Sequence, residues 1–242
     1  MRIKQEDAKK FKRILAIGDI HGEFKKLVNL WNQIHFNPKE DLVIFLGDYT
    51  DRGPDSVKCT RFIREVAKID NVITLMGNHE QMMLYYLENN SLDDIINHPE
   101  RLDNWLLNGG NVTINDFKDK GINEIYEWFH FVNTMPMFVD IGDMLFCHAG
   151  INPDRRLNDQ TAEDMLWIRE KFYNNYQGDK MIIVGHTPVQ YLIDTDDIYV
   201  PLYIEDRNIL MCDTGAFMEN IGRLSCINVL NMNEIYSAGD ND

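Results

Sequence analysis

Side chains that could bind metal ions recur in this sequence directly after short apolar runs. They lie in five motifs, GDIHG, GDYTDRG, GNHE, HAG and GHT, in that order along the chain. The polar residues of these motifs are Asp19, His21, Asp48, Asp51, Arg52, Asn78, His79, His148 and His186. Because the donors are oxygen and imidazole groups without thiolates, they suit Mn²⁺, iron or Zn²⁺ at a chemically active site.

The number of these donors favours two metal ions that share one bridging aspartate. Two ions about 3.5 to 4 Å apart can hold a hydroxide between them and clamp the attacking and leaving oxygens of an in-line displacement at phosphorus. A protonated histidine nearby would give its proton to the leaving group, and an arginine would bind the phosphoryl oxygens. The residues therefore predict phosphoester hydrolysis by direct attack, without a phosphoenzyme intermediate.

The apolar runs before the motifs have the length and composition of buried strands. They cover residues 13–17, 42–46, 72–76, 144–147, 181–184 and 209–212. In an open α/β sheet, ligands bind outside the carboxyl ends of the strands, which is where each polar motif falls. We therefore expect motifs from distant parts of the chain to converge on one rim.

Helical patterns separate the first three strands. The clearest joins Phe24, Leu27, Trp31 and Ile34, whose spacings of three and four residues place them on one helix face, and a weaker pattern covers 57–66. These strand–helix–strand units predict a largely parallel first sheet. From Val139 onward strands dominate and predict a second, mixed or antiparallel sheet. The expected fold class is α/β, with two packed mixed β-sheets flanked by helices in an αββα sandwich.

No linker divides the chain, so we expect one domain over residues 1–242. Residues 89–135 differ from the rest, because aromatic residues lie there among many Asn and Asp residues, and Gly109 is followed by Gly110. We expect a mostly helical insertion there. Its aromatic residues favour a satellite core over a cap above the substrate, although its position between two strand-end motifs is also consistent with a cap.

Charge and composition exclude several classes of protein. The 242 residues include 24 Lys and Arg against 39 Asp and Glu, for a formal net charge of −15, so we expect no general nucleic-acid binding. The chain shows no apolar run long enough for a membrane helix and no signal-like apolar region, which favours a cytoplasmic location. The four cysteines form no CxxC pair, which argues against disulfides and a zinc ribbon. A monomer is the default expectation.

The five motifs together resemble those of the metal-dependent phosphoprotein phosphatases. In order and spacing, the sequence is similar to the bacterial and phage Ser/Thr phosphatase branch of the calcineurin-like metallophosphoesterases, over residues 14 to about 230. The resemblance implies a two-sheet sandwich flanked by helices, in agreement with the strand pattern. It also implies two divalent metal ions, with Mn²⁺ expected and iron or zinc as alternatives, and a phosphorylated protein or small phosphoester as substrate.

The resemblance also implies a role for each motif residue. The implied metal ligands are Asp19 and His21 for the first ion, Asp48 as the bridge, and Asn78, His148 and His186 for the second ion. His79 resembles the general acid, oriented and kept protonated by Asp51, and Arg52 resembles a phosphate clamp. Arg169, between HAG and GHT, stands where the family has another phosphate-binding arginine.

Some motif positions depart from the family. Met76 precedes GNHE, where many members have arginine, and HAG is shared with bacterial branches that include the diadenosine tetraphosphate hydrolases. Those hydrolases typically lack the aspartate equivalent to Asp51 and have aspartate in place of Glu80. A Ser/Thr protein phosphatase is therefore favoured. A symmetrical diadenosine tetraphosphate hydrolase and a non-catalytic phosphate-binding module stay open, as does the role of Asp213, either a turn residue or a group that orients a ligand.

Overall fold

The protein, seen in a computed structural model, is described over residues 1–91, 103–193 and 199–242. These residues form two five-stranded β-sheets packed face to face, with helices on the outer faces. The strands are β1 (Arg13–Ile17), β2 (Asp41–Phe45), β3 (Val72–Thr74), β4 (Phe138–Ile141), β5 (Met144–Cys147), β6 (Met181–Val184), β7 (Leu202–Ile204), β8 (Ile209–Met211), β9 (Leu224–Asn228) and β10 (Ile235–Ala238). The predicted fold class is confirmed.

The helices precede, separate and follow these strands. They are α1 (Gln5–Ala8), α2 (Phe24–Ile34), α3 (Ser56–Val66), α4 (Asn78–Asn89), a π-helical turn (Leu106–Gly110), α5 (Asn111–Lys120), α6 (Glu124–Val132), α7 (Ala162–Trp167), α8 (Glu170–Asn175), and 3₁₀ turns at Leu157–Asp159, Val189–Tyr191 and Glu205–Arg207. Both helices expected from apolar spacing, α2 and α3, are present at the predicted positions.

Each sheet contains three neighbouring parallel strands, which lie at one side of the first sheet and in the middle of the second. The first has the order β10-β9-β1-β2-β3, in which β1, β2 and β3 are parallel and β9 and β10 are antiparallel additions. The second has the order β4-β5-β6-β8-β7, in which β5, β6 and β8 are parallel and the two edge strands are antiparallel. The carboxyl ends of the parallel strands carry the polar motifs.

Alternating residues of the strands face two different apolar layers, as the twofold periodicity of a strand requires. In β1, Leu15 and Ile17 pack against the helices, whereas Ile14 and Ala16 face the second sheet. Burial of each large apolar side chain contributes about 1.5 to 3 kcal/mol, so the layer between the sheets holds them together.

The assignment of every strand after Val139 to the second sheet is wrong for β9 and β10. Both join the first sheet, where β9 pairs with β1 in antiparallel register. Every residue of β9 is buried, because Leu224 and Cys226 pack in the helix-facing cluster and Ile227 packs in the layer between the sheets. An apolar run predicts a buried strand but does not identify its partner, which is why sequence order misplaced this hairpin.

The segment over residues 103–135 is helical and packs into the main core. Trp105, Phe117 and Trp128 belong to the same apolar cluster as β1 and α2, so the expected satellite core is wrong. The reason is that α5 packs on α3 and α6 packs on α4, which brings their aromatic residues beneath the first sheet. Residues 92–102 of the predicted insertion lie outside the described residues. That the whole chain is one domain stays a prediction.

Two further sequence expectations concern cysteines and membrane helices. All four cysteines are buried free thiols: Cys59, Cys147, Cys212 and Cys226. Within the described ranges, none of the helices combines the length and apolar character needed to cross a bilayer.

Candidate metal centre

Apart from Arg169, the predicted site residues lie on the turns that follow β1, β2, β3, β5 and β6 or at the start of α4, which follows β3. Of the eight non-glycine residues with positive φ among the described residues, five belong to the predicted site: His21, Asp48, Asp51, Arg52 and His186. Each such residue costs on the order of 1 to 3 kcal/mol in backbone strain. The surrounding structure therefore holds these turns in conformations that aim their side chains at one place.

Asp48 lies at the centre of the converging side chains. Its Oδ2 is 3.6 Å from His21 Nε2 and 3.9 Å from His79 Nε2, and its Oδ1 is 3.4 Å from His148 Nε2. Two groups of potential metal donors share it, His21 with Asp48 and His79, and Asp48 with His148 and His186. A carboxylate common to two donor groups is the geometry that a bridging ligand requires.

At the second donor group, a nitrogen of His148 faces the amide oxygen of the neighbouring Asn78, and both atoms are hydrogen-bond acceptors. Nδ1 of His148 donates to the carbonyl of Leu46 at 2.8 Å, so in the neutral ring Nε2 carries no hydrogen. That Nε2 nevertheless lies 2.8 Å from Oδ1 of Asn78, which is also 2.9 Å from His186 Nδ1. Nε2 of His186 is buried and has no hydrogen-bond partner within the described residues. A cation beside these atoms would satisfy them, so the donors fit a metal ion.

The charge states of the buried donors agree with this fit. Burial lowers the pKa of His21, His148 and His186, which favours the neutral imidazole that a metal ligand must be. Burial would raise the pKa of Asp48, but the surrounding histidine rings outweigh burial and hold that pKa below its usual range. The centre thus offers neutral nitrogen donors around one carboxylate.

Asp19 lies beside these donor groups and is in neither of them. Its two oxygens accept the backbone N–H of His186, at 3.1 and 2.9 Å, which joins the turn after β1 to the turn after β6. Burial, with the neighbouring carboxyls of Asp213 and Asp48, raises its pKa. Asp19 as a ligand of the first ion stays a prediction.

Asp213 uses one of its two carboxylate oxygens in a turn. Its Oδ1 accepts the N–H of Gly215 at 2.8 Å, as the turn interpretation predicts. Its Oδ2 is buried and has no hydrogen-bond partner in the part of the chain described here. The carboxyl is close enough to raise the pKa of Asp19, which places it at the edge of the centre.

His79 is positioned by Asp51. Its Nδ1 lies 2.7 Å from Asp51 Oδ2, and both side chains are buried. Burial alone would lower the pKa of His79, but the carboxylates of Asp48 and Asp51 raise it overall. The geometry and the direction of this pKa are those expected of a general acid, the role that the sequence predicts.

Arg52 lies over the first donor group. Its Nη1 is 2.8 Å from His21 Nε2, and its Nη2 is 3.1 Å from His79 Nε2. The ring of Phe217 lies 4.3 Å from its guanidinium carbon, a cation–π contact that supports the side chain from one side. A guanidinium held here can reach phosphoryl oxygens at the centre. Phe217 was not predicted, since no periodicity or motif marks it.

Arg169 lies on the opposite side, between α7 and α8, and its side chain contacts the turn after β6. Its Nη1 donates to Thr187 Oγ1 at 2.8 Å and to the carbonyl of His186 at 3.4 Å. The residue is exposed, and its charge contributes, after burial and His148, to lowering the pKa of His186. Arg169 is thus near the second donor group, and phosphate binding by it stays a prediction.

Glu80 has a structural role that the sequence interpretation missed. It accepts backbone N–H groups of Asp48 and Gly77 at 2.8 and 3.0 Å through Oε2, and of Tyr49 at 2.9 Å through Oε1. Burial raises its pKa. Its place three residues after the N-cap Gly77, where a glutamate side chain can accept the N-cap N–H, is the signal that could have identified it. Glu80 fixes the turn that carries the shared aspartate.

Two packed mixed sheets with two donor groups that share one aspartate are the features of a metal-dependent phosphoesterase. The family model of the calcineurin-like phosphoesterases matches residues 12–212. The chain belongs to that family.

Named relatives include protein phosphatases and bis(5'-nucleosyl)-tetraphosphatases. Serine/threonine-protein phosphatase 1 of Salmonella typhimurium is 28% identical over 220 residues, which cover 87% of this chain and 89% of that protein. The symmetrical bis(5'-nucleosyl)-tetraphosphatase of Wigglesworthia glossinidia brevipalpis is 36% identical over 99 residues, 37% of this chain and 36% of that protein. A protein serine/threonine phosphatase structure from Saccharomyces cerevisiae superposes with a TM-score of 0.61 at 15% identity, covering 99% of this chain and 83% of the other.

Proposed function

We propose that the protein is a serine/threonine protein phosphatase that hydrolyses phosphomonoesters with two divalent metal ions. The observation that carries the proposal is the contact of 2.7 Å between His79 Nδ1 and Asp51 Oδ2, beside the shared Asp48. An alkoxide of serine or threonine is a poor leaving group and requires a proton as it departs. A buried histidine oriented by a carboxylate supplies that proton.

The metal donors and the arginines complete this proposed site. When bound, two divalent ions would supply a hydroxide at neutral pH and charge to hold the phosphoryl group. The proposed ligands are Asp19, His21, Asp48, Asn78, His148 and His186. Arg52, and on the other side Arg169, would neutralise the phosphoryl oxygens. We propose Mn²⁺ as the ion, because oxygen and imidazole donors suit it.

A cavity beside α4 supports a substrate larger than free phosphate. Its volume is about 400 Å³, and its walls include Gln81, Tyr85 and Trp167. Nε1 of Trp167 donates to Gln81 at 2.7 Å, and its ring centroid is 6.4 Å from that of His186. The cavity therefore lies next to the proposed centre, where residues flanking a phosphoserine could lie.

We further propose that the protein acts as a monomer in the cytoplasm, without nucleic-acid or membrane partners.

The experiment compares two substrates under one set of conditions. Phosphate release from a phosphoserine or phosphothreonine peptide is measured beside the products formed from diadenosine tetraphosphate, each with Mn²⁺ and with EDTA. The proposal expects metal-dependent phosphate release from the peptide and little cleavage of the dinucleotide. Preferential release of ADP would instead assign the symmetrical tetraphosphate hydrolase activity. Inactivity on both substrates, with phosphate binding retained, would assign a non-catalytic module.

A further inference from the structure

The carboxylate of Asp51 has more partners than the orientation of His79 requires. The indole Nε1 of Trp105 donates to Oδ2 at 2.8 Å, the same oxygen that His79 Nδ1 approaches at 2.7 Å. The hydroxyl of Thr113 donates to Oδ1 at 2.6 Å. Asp51, Trp105 and Thr113 are all completely buried, so water does not compete for these contacts.

The hydrogens of this cluster can be assigned without ambiguity. An indole N–H can only donate, so Asp51 Oδ2 must accept from Trp105. The single hydroxyl hydrogen of Thr113 is used on Oδ1, so the hydroxyl of Ser56, 2.9 Å away, donates to Thr113. The backbone N–H of Asp51 donates to Thr113 Oγ1 at 2.9 Å. Both oxygens of the carboxylate are therefore held by donors from outside its own turn.

The double glycine explains how the chain brings these donors to Asp51. A Cβ on Gly109, whose φ is +107°, would lie 2.7 Å from the backbone nitrogen of Arg52. A Cβ on Gly110 would lie 2.5 Å from ring atoms of Trp105. Only glycines allow the π-helical turn to pack this closely against both Arg52 and the indole ring. The turn is thus built against Arg52, which the sequence predicts to bind phosphate, and against the indole ring that contacts Asp51.

We infer that Trp105 and Thr113 are positioning residues for the general acid. They hold the carboxylate of Asp51 from both sides, and Asp51 in turn holds His79 with Nε2 toward the centre. A general acid must lie within hydrogen-bond reach of the leaving oxygen, so freedom in Asp51 would slow protonation without weakening substrate binding. This inference rests on the proposed phosphomonoester hydrolysis.

The test uses leaving groups that differ in their need for a proton. Trp105→Phe and Thr113→Val are assayed with Mn²⁺ on a phosphoserine peptide and on p-nitrophenyl phosphate, whose p-nitrophenolate departs readily without protonation. We expect kcat on the peptide to fall about tenfold in each variant, as for the loss of one hydrogen bond to a charged group. KM should change little, and kcat on p-nitrophenyl phosphate should fall by a clearly smaller factor. Thr113→Ser, which keeps the hydroxyl, should restore the wild-type ratio of the two kcat values.

Matched variants separate positioning from packing. Trp128 is also completely buried in the same apolar cluster, but its Nε1 has no hydrogen-bond partner among the described residues. Trp128→Phe removes the same atoms as Trp105→Phe and should leave the kcat ratio unchanged. Thr60 is buried on α3 and donates only to the carbonyl of Val57, so Thr60→Val is the control for Thr113→Val.

The outcomes distinguish this inference from the proposed function. An unchanged kcat ratio in active Trp105→Phe and Thr113→Val proteins would overturn the inference alone, as would an equal change in Trp128→Phe. If Trp105→Phe does not fold, Thr113→Val and its serine counterpart decide the question. Failure of the unmodified protein to release phosphate from either substrate would overturn the proposed function and this inference with it.

Discussion

The two sheets contribute to the centre in different ways. The first supplies most of the predicted residues from the turns after β1, β2 and β3, which we call the first rim. These residues are Asp19, His21, Asp48, Asp51, Arg52, Asn78 and His79. The second supplies His148 and His186 from the turns after β5 and β6. Together with Arg169, which lies between α7 and α8, they form the second rim. On the first rim, Asp48, Asp51 and Arg52 all have positive φ and are held by side chains from α4 and from residues 103–113. On the second, the ring of His148 contacts the carbonyl of Leu46 and the amide of Asn78, and His186, which also has positive φ, is held through its N–H by Asp19 of the first rim.

This difference leads us to expect separate tasks for the two rims. Proton transfer and the binding of phosphoryl oxygens require a fixed orientation, and the first rim provides it through buried donors on Asp51 and on the turn of Asp48. Metal binding requires donor atoms at a suitable distance, and we expect the second rim, which provides two histidines, to contribute mainly to it, together with the donor group of the first rim. We expect substitutions on the first rim to affect kcat most, and those on the second to affect substrate or metal affinity.

The largest effect is expected where the two rims meet, at Asp48. Asp48→Asn removes the charge that both donor groups share. The loss of a metal ion worth several kcal/mol predicts a fall in kcat/KM of about 10³-fold or more. Metal content measured by plasma emission spectroscopy should fall with activity. Full activity in this variant would refute the shared-ligand assignment, and loss of only one ion would show that the rims bind metal independently.

His79→Asn tests whether the first rim contributes more than metal binding. We expect metal content to be kept while kcat on a phosphoserine peptide falls by about 10²-fold, because the leaving alkoxide loses its proton donor. Metal analysis and steady-state kinetics on the same preparation give both numbers. Equal losses of metal and activity would make His79 a ligand, which its place in the first donor group also permits.

Much of the first rim could be predicted from the sequence, because its residues lie in short motifs at the ends of regular strands. Trp105 and Thr113 could not, because they approach Asp51 from 54 and 62 residues away. Their contacts depend on how α5 and the π-helical turn pack, which apolar spacing does not determine. The same limit applied to β9, whose partner β1 lies at the other end of the chain. Local patterns thus predicted the elements and the donors but not the long-range contacts that orient them.

Glu80→Gln tests whether buried acceptors are what stabilise the first rim. The carboxylate accepts three backbone N–H groups, whereas an amide brings a donor toward one or more of them. An unsatisfied buried donor costs about 1 to 3 kcal/mol, so we expect the free energy of unfolding to fall by that amount in a urea titration. The exposed pair Lys68 and Glu65 offers a comparison, because Glu65→Gln should change stability by less than about 0.5 kcal/mol. Equal losses of stability in Glu80→Gln and Glu65→Gln would show that the buried carboxylate does not stabilise the first rim.

The smallest effect is expected on the second rim, at Arg169. Arg169→Met keeps much of the side-chain length and removes the charge beside the turn after β6. If Arg169 binds a phosphoryl oxygen, KM should rise about tenfold while kcat changes less, as for the loss of one charge-assisted hydrogen bond. Thr187→Val removes the hydrogen bond that holds Arg169 but leaves its charge, so KM should rise by a smaller factor. A fall in kcat with an unchanged KM in Arg169→Met would instead show that this rim, like the first, orients the reacting groups.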